Sequence, residues 1–179
     1  MEHCMQLQQA LSLVRDIPDF PHSGILFKDI TPLLADPTAF ALVTSELAGD
    51  AERYSHVVGI EARGFILGAA IASHSERGFV PLRKAGKLPH TTISKSYGLE
   101  YGVDVLEAHV DAVREGDSVL LVDDVLATGG TLLASIELIY ELGASISEVV
   151  VLYEISFLKG REKILTKFPE IIIRSIVAN

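Results

Sequence analysis

The stretch VLLVDDVLATGGT, residues 119–131, decides how this sequence folds. Its first half is a short, branched, non-alternating apolar run, the pattern of a strand buried on both faces. Two adjacent carboxylates, Asp123 and Asp124, close the run. A Thr-Gly-Gly-Thr turn then opens a helix on which Leu132, Leu133, Ile136, Ile139 and Tyr140 share one face, with Gly143 past its end. Backbone N–H groups at such a turn and helix N-terminus suit a phosphate. The glycines let the ligand approach the backbone, and Thr128 and Thr131 add hydroxyl donors. Asp123 and Asp124 accept hydrogen bonds of the kind a ribose diol offers. Phosphate at one end and diol at the other describe a ribose 5-phosphate. The alternative is an ordinary strand-to-helix turn with capping residues, which the joint occurrence of the acidic pair and the glycines disfavours. A nucleotide P-loop is excluded, because no Gly-Lys-Ser/Thr ending follows.

Working outward, further apolar runs occur at 56–60 (HVVGI), 79–82, 148–155 (EVVVLYEI) and 171–177. Helical patterns lie between them. Leu7, Leu11 and Val14 recur at helical spacing until Pro18. Asp36-Pro37 reads as an N-cap and first helical position, with Phe40, Val43 and Leu47 on one face before Gly49. A small-residue helix follows at 64–75. The fold class is therefore α/β: an open, mostly parallel sheet flanked by helices, in one domain over residues 1–179. Ligands in such sheets sit at the carboxyl ends of strands, which directs attention to the loops after Ile60, Leu82, Val122 and Ile155. Two segments do not fit regular packing: 20–34 (FPHSGILFKDITPLL), irregular yet apolar, and 83–102, which reads as a long mobile loop or an excursion from the sheet.

Composition narrows the function. In 179 residues, 49% are hydrophobic and the net charge is −9, so a general nucleic-acid or membrane-surface binder is disfavoured. One cysteine, Cys4, permits no internal disulfide and no cysteine-cluster metal site. The apolar run 65–72 is too short to span a bilayer, and the N-terminus lacks a signal-peptide pattern, so a cytoplasmic protein is expected. Six histidines show no metal-ligand spacing.

Against the acidic whole, residues 77–99 hold Arg77, Arg83, Lys84, Lys87 and Lys95 without one acid. That concentration reads as a site for an anion, or as a solvated basic loop. The turn Glu61-Ala62-Arg63-Gly64, between strand and helix, is a second place for an anion. Phe27 reads as core from its residue type alone, and Glu100 as a loop acid.

Residues 119–131 resemble the phosphoribosyl pyrophosphate (PRPP) motif of the type I phosphoribosyltransferases. The stretches DFPHSGILFKDITPLL, GIEARGFILGAAIA, PLRKAGKLPH, SYGLEYG and YEISFLKGREKI are similar, in order, to those of the adenine-specific members. The resemblance implies transfer of phosphoribose from PRPP to adenine, giving AMP and pyrophosphate, in a homodimer with a small N-terminal hood and a flexible loop. It implies Mg²⁺ held mainly by substrate oxygens, with no direct protein ligand. Asp123, Asp124, Ala127, Thr128, Gly129, Gly130 and Thr131 are assigned to phosphate and ribose. Pyrophosphate falls to Glu61, Ala62, Arg63, Arg83, Lys84 and Lys87, with a cis peptide expected at Glu61–Ala62. Glu-Ala departs from the pair common in the family, which weakens a side-chain role for Glu61. Glu100 and Arg63 are the catalytic candidates, and Tyr101 lies at the site entrance. Adenine is assigned to Phe27 and Ile155 as a sandwich, with the backbone of Leu26 and Lys28 reading its edge. A PRPP-sensing regulator is the rival; it would need a nucleic-acid surface, and PRPP-dependent gel-shift binding would reveal it.

Overall fold

A computed structural model describes residues 6–98 and 103–179; Cys4, Glu100 and Tyr101 lie outside the described residues. The chain packs as two compact units, residues 1–46 and 47–179.

In the first unit, α1 (Leu7–Leu11) precedes an antiparallel pair, β1 (Arg15–Pro18) and β2 (Leu26–Asp29), followed by α2 (Thr31–Ala35) and α3 (Pro37–Ala48). The helical spacing through Val14 is thus cut short. After Leu11 the chain turns, and pairing of residues 15–18 with β2 overrides local propensity. Asp36 caps α3 as its sequence predicts, its carboxylate accepting the N–H groups of Thr38 at 3.0 Å and Ala39 at 2.9 Å.

The second unit is a seven-stranded sheet. Its strands are β3 (His56–Ile60), β4 (Gly78–Lys84), β5 (Thr92–Gly98), β6 (Val103–His109), β7 (Ser118–Leu126), β8 (Ser145–Glu154) and β9 (Ile173–Ala178), in spatial order β5-β6-β4-β3-β7-β8-β9. The five strands from β4 to β9 are parallel; β5 and β6 add an antiparallel edge. The expected parallel α/β sheet is present, and residues 92–98 leave the supposed loop to form an edge strand. Its partner β6 (VDVLEAH) lies between it and β4 and buries Leu106 and Ala108 in the core.

Successive strand residues serve opposite faces. On one, Val58, Ile60, Leu121, Val149 and Val151 form a core with Leu132, Ile136 and Ile139 of α5 (Gly130–Glu141). On the other, Val57, Leu120, Val122, Val150 and Leu152 are equally buried. There α4 (Arg63–His74) lies so close that a Cβ on Gly59 would stand 2.7 Å from the Gly64 carbonyl oxygen. Each such large side chain contributes about 1.5–3 kcal/mol relative to exposure. Helix α6 (Gly160–Lys167) connects β8 to β9.

Candidate active site

Parallel pairing of β3 with β7, Gly59 opposite Val122, brings two strand ends together. Around them lies a cavity of about 310 Å³ lined by residues 61–63, Lys84, Tyr97, Asp104 and 123–132. The turns after β3 and β7 and the end of β4 therefore meet in one place, as the carboxyl-end rule anticipates. Strand β7 runs four residues beyond 122, so the acidic pair is still in the ladder: Asp123 pairs with Val151.

The phosphate turn is shaped by a left-handed Gly129, φ 77°, preceding α5. First-turn N–H groups of a helix have no carbonyl partner within it, and here residues 128–132 line the cavity. Gly160 presses on this turn from α6, leaving no room for a Cβ between the Ala127 carbonyl oxygen and the Gly129 nitrogen. Gly64 does the same for the acidic pair: its Cβ would lie 2.8 Å from the Val122 oxygen and 3.1 Å from Asp123 Oδ1.

Burial raises Asp123 well above the ordinary carboxylate range, and the neighbouring Asp124 charge adds to it. Burial raises Asp124 too, opposed by Arg63, whose Nε lies 2.9 Å from Asp124 Oδ2. The Glu61–Ala62 peptide is cis. Glu61, whose side chain the sequence left with little to do, accepts Arg83 Nε at 3.2 Å and the Lys84 N–H at 3.0 Å. Burial alone would raise Glu61, but these donors outweigh it and hold it below its usual value.

The basic segment is not uncompensated, and this corrects the sequence reading. Arg77 meets Glu52 at 3.6 Å, Arg83 meets Glu61, Lys84 meets Asp104 at 2.9 Å and Lys95 meets Glu141 at 2.6 Å. Each acid comes from a distant part of the sequence, which linear charge counting does not see. Lys84 lines the cavity, while Arg83 donates to Glu61 and, at 3.1 Å, to the Lys87 carbonyl.

Ile155 follows β8 directly, its N–H bonded to the Leu126 carbonyl at 2.9 Å. Beside it Glu154 is buried and accepts Arg161 Nε at 2.9 Å, while Arg161 also donates to the Ile173 carbonyl at 2.8 Å. The Arg161 guanidinium holds Glu154 below its ordinary value. In the first unit, Leu26, Phe27 and Lys28 lie on β2, and the Phe27 ring stands edge-on to Phe20, centroids 5.1 Å apart. Residues to which the sequence reading gave no role are Tyr97, Asp104 and Gly160; Tyr97 and Asp104 meet only through the pairing of β5 with β6. Among the described residues no helix is long and apolar enough to cross a membrane.

Comparison with known proteins agrees with this geometry. Residues 33–177 match the phosphoribosyl transferase domain model. The adenine phosphoribosyltransferase of Streptomyces coelicolor is 55% identical over 156 residues, 86% of each chain. The chain belongs to the adenine phosphoribosyltransferase family. The adenine phosphoribosyltransferase of Kosmotoga olearia is 54% identical over 154 residues, covering 84% of this chain and 90% of that one. The Giardia lamblia family member, solved with 9-deazaadenine, superposes with a TM-score of 0.91 at 43% identity, covering 98% of each chain. Transfer of the 5-phosphoribosyl group from PRPP to adenine, giving AMP and pyrophosphate, is thus the reaction this fold serves.

Proposed function

We propose that this transfer takes place in the cavity at the ends of β3 and β7. The observation that carries the reading is that one cavity is lined by the Thr-Gly-Gly-Thr turn, the Asp123–Asp124 pair, the Glu61–Arg63 turn and Lys84. The first two match a 5-phosphate and a ribose diol, and the Glu61–Arg63 turn and Lys84 together match a pyrophosphate. The turn and the N-terminus of α5 receive the 5-phosphate; Asp123 and Asp124 accept the ribose hydroxyls. Arg63 and Lys84 face the departing pyrophosphate, where cationic groups stabilise charge as it develops. Displacement at C1′ then proceeds through an oxocarbenium-like transition state, the protein contributing mainly orientation and electrostatics.

Arg83 acts behind Lys84 and Glu61, with Lys87 nearby. Ala62 contributes backbone, and Ala127, Thr128, Gly129, Gly130 and Thr131 the phosphate turn. The adenine assignments of Leu26, Phe27, Lys28 and Ile155, the proton-transfer role of Glu100 and the entrance position of Tyr101 rest on the family resemblance.

A divalent cation fits this donor set only in part. Among the described residues no group of three or more His, Cys, Asp or Glu side chains is placed to hold a metal. Magnesium can be held mainly by substrate oxygens and water, with Asp123 and Asp124 acting through ribose hydroxyls or water rather than as direct ligands. When bound with PRPP, Mg²⁺ neutralises pyrophosphate charge. The same resemblance supports a single phosphoribosyltransferase domain over residues 1–179, a cytoplasmic location, and a homodimer, which light scattering tests.

Steady-state measurement of adenine-dependent pyrophosphate release from PRPP tests the reading. Turnover that requires adenine and Mg²⁺ supports it; no adenine-dependent release overturns it.

A further inference from the structure

Two cavity-lining side chains have no place in the scheme above. Tyr97 on β5 and Asp104 on β6 stand opposite each other in the hairpin register. The Tyr97 hydroxyl donates to Asp104 Oδ2 over 3.2 Å, and Lys84 Nζ sits 2.9 Å from the same oxygen. The other oxygen, Oδ1, accepts the Val105 N–H at 2.9 Å, which fixes the carboxylate on its own strand. The hairpin also touches the phosphate turn. A Cβ on Gly130 would lie 3.1 Å from the Gly98 carbonyl oxygen and 3.6 Å from Tyr97 Cδ2, and Thr131 is another polar neighbour of the Tyr97 hydroxyl. One carboxylate therefore joins the pyrophosphate lysine, the edge hairpin and, through Tyr97, the start of α5.

We propose that Asp104 is a positioning residue for the pyrophosphate end of the reaction, presetting the Lys84 ammonium and, through Tyr97, seating the hairpin against the phosphate turn. The inference rests on the functional reading above and extends it. The Lys84 side chain is 54% exposed, whereas that of Asp104 is only 22% exposed. A lysine so exposed samples many rotamers that must be surrendered when an anion binds. Asp104 selects one of them in advance and occupies a single ammonium proton, leaving two for phosphate oxygens. Mutual charge supports the pairing: the hydrogen bond to Asp104 raises Lys84 above its usual value, and that from Lys84 lowers Asp104. A carboxylate beside pyrophosphate would repel it if bare. Neutralised by Lys84 and hydrogen-bonded by Tyr97, it orders the site instead.

The test uses the full-length enzyme with Asp104→Asn, Asp104→Glu, Tyr97→Phe, Lys84→Met and the double variant D104N/K84M. The Asp104→Asn variant is expected to raise the KM for PRPP, and the concentration of pyrophosphate needed for product inhibition, about tenfold. The KM for adenine stays within about twofold, a split that general loss of structure would not produce. Part of the loss returns in Asp104→Glu, and Tyr97→Phe moves the same constants in the same direction by a smaller factor. Because Asp104 acts through Lys84, D104N/K84M is no worse than Lys84→Met alone. An unchanged or lower PRPP KM in Asp104→Asn, full additivity with Lys84→Met, or an equal rise in the adenine KM overturns the proposal. Should Asp104→Asn fail to fold, an unchanged PRPP KM in Tyr97→Phe overturns it equally. A wild-type enzyme without adenine-dependent turnover would overturn the functional reading as well, whereas an active wild type with an unaffected Asp104→Asn overturns only this step.

Discussion

Arg63 Nε lies 2.9 Å from Asp124 Oδ2, so the turn after β3 and the acidic end of β7 are joined by a charged pair rather than merely adjacent. Asp124 is 7% exposed. Removing either partner leaves the other charge poorly compensated in a partly dry site. Arg63→Gln and Asp124→Asn are each expected to lower kcat/KM for PRPP about ten- to a hundredfold, with adenine binding less affected. In the double variant the losses should combine to clearly less than their product, since both break one pair. Independent, multiplicative losses would show that the pair has no joint role.

Asp123 is costly to the fold for the reason it suits the sugar. Burial and the Asp124 charge raise its pKa above the unfolded value. A carboxyl so shifted binds more protons folded than unfolded, so its contribution to stability falls as pH rises from the unfolded value through the folded one. Asn at this position removes that loss. Asp123→Asn should therefore melt higher than the parent at neutral pH, by about 2–4 °C for each kcal/mol recovered. The gap should shrink toward pH 4, while use of PRPP drops. Thermal melts from pH 4 to 8 check the sign; a variant that is less stable at pH 7 refutes it.

Gly64 and Gly160 have no room for a methyl group. The atoms in the way are backbone, around Val122 and Asp123 in one case and Ala127 and Gly129 in the other. Gly64→Ala and Gly160→Ala are each expected to cost about 1–3 kcal/mol of stability. Where the chain still folds, displacement of the phosphate turn by Gly160→Ala should raise the KM for PRPP. Chemical denaturation with steady-state kinetics measures both, and parental values for each would dismiss the close approach.

The edge strand β5 carries Tyr97 and Gly98 against Gly130. Among the described residues its outer ladder groups have no neighbouring strand in this sheet, so its amides should open readily on their own. Ligand at the phosphate turn should hold them. Amide exchange over residues 92–98 is expected to slow on addition of AMP or PRPP and to stay constant over β8. Equal exchange with and without ligand would count against coupling of hairpin and turn.

Base choice should favour adenine over hypoxanthine and guanine. In the 6-oxopurine enzymes whose PRPP motif this one resembles, the residue before the Thr-Gly is an aspartate acting as base at N7. Ala127 stands there, on the cavity wall, and has no proton acceptor. Adenine and hypoxanthine also present opposite donor and acceptor patterns at their edge. Mispairing two backbone groups covered by the bound base costs about 1–3 kcal/mol apiece, and discrimination on the order of 10⁴ is within reach of such sites. Comparable kcat/KM for hypoxanthine would make a broad purine enzyme the better description.

Much of this protein was legible in its chain because the relevant signals are local. The run 119–131 carries strand, acidic pair, turn and helix start in thirteen successive residues, and backbone geometry translates that order directly into a phosphate site. The central strands announced themselves by branched apolar runs, since burial on both faces leaves no place for alternation.

What the tertiary structure decided is how charges and edges pair. Residues 77–99 contain five cations and no acid, yet Glu61, Asp104 and Glu141 answer Arg83, Lys84 and Lys95 from a turn, another strand and a helix. Residues 15–18 passed from helical spacing to strand because β2 offered a partner. Gly64 and Gly160 acquired their constraint only when α4 and α6 were laid against β7 and its turn. Such relations depend on register between segments tens of residues apart, and a side chain's electrostatic environment is set by whatever the fold brings within a few ångströms of it.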